Sequence, residues 1–157
     1  MGLKLLGMLA LAGTVGLGSI AAAEDIGEAD AVIKYRKDAM ASVGGHVRAM
    51  VSVLKGDIND PEGLAIHAAA LSAATNAYLL KTSFGQNTDG QGSVETTATA
   101  KIWEDWAGFS EQIDLLESTS AEVAALAAAG DLTEFDQLKP MLATCGACHR
   151  QKGYREQ

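Results

Sequence analysis

Proline, cysteine and aromatic side chains are all scarce in this sequence, with two prolines, two cysteines and an aromatic share of 5% over 157 residues. So little proline beside 28 alanines argues for helix, because alanine is the best helix former and proline the worst, and it excludes an all-β chain. Positive charge is also short. Twelve Lys and Arg against 20 Asp and Glu leave a formal charge of -8 and a pI near 4.7, which opposes a polyanionic partner, so no nucleic acid is expected. What is plentiful is apolar: 48% hydrophobic residues with 20% charged exclude a disordered chain, and the length suits one domain around one core.

Long apolar runs are missing too, except at the start. Lys4 is followed by an uncharged stretch from Leu5 to Ile20 and by Ala21-Ala22-Ala23, the pattern of an export signal cut after a small residue. The run is short for a bilayer core and broken by Gly7, Gly13, Gly16 and Gly18, which argues against a retained anchor. The expectation is therefore a cleaved signal over residues 1–23 and a domain over 24–157, periplasmic, with no stable membrane association after cleavage.

Four segments carry apolar residues at helical spacing. The first, Asp25 to Leu54, aligns Ile33, Met40, Val43, Val47, Met50 and Leu54. The Asp60-Pro61 pair starts a second helix, running to about Lys81, because it sets a capping side chain before a proline suited to the first turn. Thr82 to Ala98, with Gly85, Gly90 and Gly92, has no periodicity and reads as a long surface loop. A third pattern spans Thr99 to Ala129, with Trp103 and Trp106 as core area and the acidic residues on a solvated face. Gly130 stops it. Asp131 to Glu134 has capping-box spacing ahead of a fourth helix, in which Pro140 demands a kink or a late start. Four such stripes bury one another in an all-α, antiparallel up-down four-helix bundle.

The two cysteines stand in Cys145-Gly146-Ala147-Cys148-His149, the C-x-x-C-H spacing of c-type haem attachment. On a helix, thiols at i and i+3 each reach one vinyl group while the imidazole at i+4 ligates iron. A structural zinc site needs about four ligands, and His46 and His67 stand alone in other helices. A thioredoxin-like pair needs a strand-helix-strand setting that this chain lacks. A structural disulfide leaves His149 unexplained.

Tyr35 to Met40 in the first helix, Lys101 to Asp105 in the third and Cys145 to His149 in the fourth together resemble the class II c-type cytochromes, the group of cytochrome c prime and cytochrome c-556. The resemblance covers the whole mature chain and looks closer to the c-556 branch. It implies one haem c, attached covalently through thioethers at Cys145 and Cys148, with His149 on the iron. It also places Met40 at the sixth position, as an iron ligand in c-556-like members or as a mere cover in cytochrome c prime, and Arg36 on a haem propionate. Met50 and Met141 read as core. One departure stands out: the aromatic-Arg pair that usually follows the haem histidine closely comes later here, as Tyr154-Arg155, so the last turn packs differently and no haem contact is expected of Arg155.

The expected function is that of a mono-haem electron carrier with His149/Met40 iron and a redox protein partner, not an enzyme. The alternative is a five-coordinate cytochrome c prime-like protein that binds nitric oxide or carbon monoxide. A homodimer is left open, since no face read from the sequence decides it.

Overall fold

A computed structural model describes residues 27–156, so the expected export signal lies outside the described residues. The chain runs through α1 (Glu28–Leu54), α2 (Pro61–Ala74), α3 (Ala77–Phe84), a single turn α4 (Lys101–Glu104) and α5 (Trp106–Ala129), then a 3₁₀ turn (Phe135–Leu138), α6 (Lys139–Gly146) and a π-helical turn (Ala147–Gln151). The helix α1 packs on α2, α2 on α5 and α5 on α6, the neighbour-to-neighbour order of an up-down four-helix bundle. Among the described residues the only β pairing is the isolated antiparallel bridge between Ala98 and Arg155.

Two expected helices are interrupted and a third starts late, and in each case a polar side chain satisfies backbone groups locally. The second breaks at Thr75, whose hydroxyl donates back to the Leu71 carbonyl at 2.9 Å and also meets Ser120. Asn76 then caps α3, and α2 and α3 meet at a 50° bend. The third breaks at Asp105, whose carboxylate accepts from Gly108 N–H and caps α5, so this acid is not part of a solvated face. The fourth has its capping box about one turn later than the expected Asp131 to Glu134: Glu134 is the N-cap, and Gln137 Oε1 accepts from the N–H groups of Thr133 and Glu134. Pro140 lies in the first turn of α6, where its missing donor costs nothing; the helix starts late instead of kinking.

Buried side chains form two clusters. One joins Val43, Met50, Leu71, Val123, Leu138 and Met141; the other joins Leu80, Phe84, Ile102, Phe109, Ile113 and Tyr154. Met40 and Leu116 pack against both. The core is thus divided, with two side chains spanning the division.

The long loop is tied down at three places. Asp30 accepts from the N–H of Ser93 and of Val94 and from the Ser93 hydroxyl. Lys37 Nζ donates to Glu95 O at 3.0 Å. Thr97 and Thr99 join the carboxyl-terminal residues: Thr99 N–H donates to Tyr154 O and Glu156 N–H to Thr97 O.

The Val94 and Ser93 bonds hold the Asp30 carboxyl below its ordinary value. A depressed native pKa contributes stability that is present above the unfolded value and lost as pH falls through the native one. Asp30→Asn is therefore expected to narrow the gap in stability between pH 6 and pH 3, measured by urea unfolding at both; an unaltered gap would remove Asp30 as a contributor.

Candidate functional site

The residues singled out from the sequence converge on one cavity of about 970 Å³ between the two core clusters, at the upper end of the ~300–1,000 Å³ of small-molecule and cofactor sites. The helix α1 contributes Met40, Val43 and Val47. Leu80, Phe84, Phe109 and Ile113 come from α3 and α5, and Cys145, Cys148, His149 and Tyr154 from the carboxyl-terminal segment. Charged side chains, among them Arg36, Lys37, Arg48 and Arg155, also line it. Neither tryptophan lines this cavity; Phe84, Phe109 and Tyr154 supply its aromatic surface.

The attachment segment is not a regular α-helix. Cys145 sits at the end of α6, while Cys148 and His149 belong to the π turn, which Lys152 N–H closes on Ala147 O at 2.9 Å. A π turn takes up extra chain without ending the helix. Gly153 follows at φ 74°, a left-handed conformation that glycine adopts without steric cost. These two devices absorb Arg150 to Gly153 and return Tyr154 to the core, where it is only 2% exposed. Its hydroxyl donates to Asp105 Oδ2 at 2.7 Å. The aromatic ring of the delayed pair is thus buried. Arg155, to which no haem contact was assigned, lines the cavity and donates from Nε to Thr97 Oγ1 at 3.1 Å. A second cavity of about 430 Å³ adjoins the same segment, lined by Cys145, His149, Arg150 and Arg155 among others.

The electrostatics separate the cysteines from the histidine. Burial pushes the Cys145 thiol up, and burial with the neighbouring Cys145 pushes Cys148 up to about 11. Both remain thiols near neutral pH, which disfavours a zinc-thiolate or a reactive dithiol. Burial lowers the His149 imidazole, and Arg155 and Arg150 lower it further. A neutral imidazole keeps a ring nitrogen lone pair for a metal.

Arg36 is 2% exposed, so it is not the solvated residue its place near a helix start would permit. Its guanidinium donates to Ser83 O, Gln86 O and Thr88 Oγ1 and lies over the rings of Phe84 and Trp103 at 4.8 and 5.2 Å. Every one of these acceptors is neutral. No carboxylate is paired with it among the described residues, and it lines the cavity, so an anionic group of a ligand would find a buried cation there.

His46 and His67, read as solitary, meet at 3.1 Å between their Nδ1 atoms. One ring donates and the other accepts, which fixes opposite tautomers at that nitrogen. The signal was their placement about a hairpin: His46 lies 54 - 46 = 8 residues before the end of α1, and His67 lies 67 - 61 = 6 after the start of α2. Met50 and Met141 are enclosed in the core, as expected.

The donor set fits a c-type haem. An apolar slot in a divided core carries two protonated thiols and a neutral imidazole on one wall, a methionine on the α1 wall and a buried guanidinium within reach of the same space.

Comparison with known proteins agrees. A family model described as Cytochrome C' matches residues 31–155. The chain is 29% identical over 122 residues to the cytochrome c' of Rhodospirillum rubrum, covering 77% of this chain and 80% of that one. With the cytochrome c' of Halomonas halodenitrificans it shares 32% identity over 130 residues, covering 78% and 95%. Its fold is similar to that of a nitric oxide complex of a cytochrome c prime mutant from Alcaligenes xylosoxidans, with 25% identity, a TM-score of 0.69 and coverage of 85% and 100%. The expected closeness to the c-556 branch receives no support from these matches.

Proposed function

The chain belongs to the cytochrome c' family, and from that premise we propose that it is a periplasmic haem c protein that binds a small neutral gas, nitric oxide or carbon monoxide, at five-coordinate iron. The single observation that carries this choice over a His/Met electron carrier is that the similar proteins are cytochromes c', one of them solved with nitric oxide bound. One haem is held, by thioethers at Cys145 and Cys148 and by His149 on the metal. Haem supplies the iron that takes the gas.

The rest is done by this chain's own side chains. Cys145 and Cys148 fix the group to the carboxyl-terminal wall, and His149, kept neutral by burial and by Arg155 and Arg150, offers its lone pair on that wall. Arg36 pairs with a propionate, which gives its buried charge an anionic partner. Met40, with Val43 and Val47, covers the other face as packing and does not ligate. These apolar side chains offer no strong hydrogen-bond donor to a distal ligand, which suits neutral diatomics. Binding, not catalysis, is the role this reading gives the site.

An absorption spectrum tests it. The ferric and ferrous protein should be high-spin, and the ferrous form should take carbon monoxide rapidly. Met40→Ala should leave the spin state unchanged and speed carbon monoxide association, because it only removes cover. A low-spin spectrum with the far-red sulfur-to-iron band, converted to high-spin by Met40→Ala, would reinstate methionine ligation and electron carriage.

A further inference from the structure

Tyr154 stands apart from the other two tyrosines. Tyr35 and Tyr78 are exposed on the surface, whereas the Tyr154 ring is enclosed at the cavity wall. Its hydroxyl faces a carboxylate at 2.7 Å. It packs edge-on against Phe109, with ring centroids 5.2 Å apart at 88°, and Phe109 in turn lies 5.8 Å from Trp106. Trp106 is 36% exposed. Three aromatic rings thus lead from the cavity to solvent, and the innermost has a proton acceptor in hydrogen-bond contact.

We propose that Tyr154 is a redox-active side chain, giving up one electron through Phe109 and Trp106 to a one-electron oxidant at the surface while its phenolic proton passes to Asp105. The O–H bond of Tyr154 breaks and an O–H bond forms on Asp105 Oδ2. A neutral phenoxyl radical and a neutral carboxylic acid replace the phenol and the carboxylate, and the negative charge lost from Asp105 equals the electron gained by the oxidant. The surroundings favour this coupling. The Tyr154 hydrogen bond holds the Asp105 carboxyl below its ordinary range, so the acceptor is ionised at neutral pH. Burial and Asp105 push the phenol up to about 12, so it is oxidised from its protonated form and must shed the proton. Burial of the ring shields the radical from solvent, and the edge-on contact supplies the path. The inference concerns the tyrosine and its carboxylate, and it stands whether the iron binds gas or carries electrons.

The test uses the haem-loaded ferric protein and flash-generated tris(bipyridine)ruthenium(III), with persulfate as the terminal electron acceptor. Rapid-freeze electron paramagnetic resonance should show a tyrosyl radical, and its formation should slow in D2O. Tyr154→Phe keeps the ring packing and should abolish the enclosed radical. Asp105→Asn keeps a capping oxygen for α5, removes the proton acceptor, and should lower the yield and erase the D2O effect. Trp106→Phe should slow radical formation. A radical of the same yield in Tyr154→Phe would assign it to Tyr35 or Tyr78 and overturn the proposal, as would the absence of any tyrosyl signal. Should Tyr154→Phe fail to fold, an undiminished and still D2O-sensitive signal in Asp105→Asn would overturn it equally.

Discussion

Alanine at both Cys145 and Cys148 is expected to free the haem completely. The wild-type chain should keep its chromophore through denaturation and acid extraction into organic solvent, and its mass should exceed that of the bare polypeptide by one haem. The double variant should surrender all colour and weigh as polypeptide alone. The reason is geometric: both sulfurs line the cavity from one segment, and with them gone only noncovalent contacts and the His149 bond remain, which a denaturant removes. Cys148→Ala alone should retain haem through one thioether. Colour that survives extraction in the double variant would disprove the attachment, whatever gas the protein binds.

Arg36→Met should destabilise the fold more than any other single change among the charged residues. Methionine keeps much of the aliphatic volume but supplies no donor. The Ser83 carbonyl and the Thr88 hydroxyl, both in buried hydrogen bonds with the arginine, are then left unsatisfied. An unpaired buried acceptor costs about 1–3 kcal/mol, so a loss on the order of 3 kcal/mol is expected after partial rescue by water. Urea unfolding reads it as a lowered midpoint at constant slope. A change within experimental error would mean that the loop from Ser83 to Thr88 holds its place without the guanidinium.

The sequence revealed the fold where periodicity was long and unbroken, and failed where a polar residue intervened. The stripe from Ile33 to Leu54 reads directly as α1 because buried positions recur at one helical turn. Nothing in the pattern around Thr75 signals a break, since Leu71, Thr75 and Tyr78 keep helical spacing; the break comes from Thr75 bonding back onto its own helix and across to Ser120, a tertiary contact. Asp105 likewise reads as one acid among several until Gly108 N–H and Tyr154 are seen to share it.

The attachment site was legible because its chemistry lies within five consecutive residues. Its surroundings were not, because they come from four separate elements. Arg36 entered through the family resemblance, as a propionate partner, yet the three acceptors that enclose it lie about fifty residues away. The delayed Tyr154-Arg155 pair showed that the last turn departs from the family pattern, but only the π turn and the left-handed Gly153 explain how the ring recovers its burial.

The pairing of Thr97 and Thr99 with Tyr154 and Glu156 bears on the order in which the chain assembles. Helical hairpins join residues close along the polypeptide and form quickly, whereas contacts spanning more than fifty residues carry a larger loop-closure entropy and arrive late. This strap is a long-range contact between the α3–α4 connection and residues 154–156. It closes after the hairpins, once residues 154–156 have been brought back to residues 97–99.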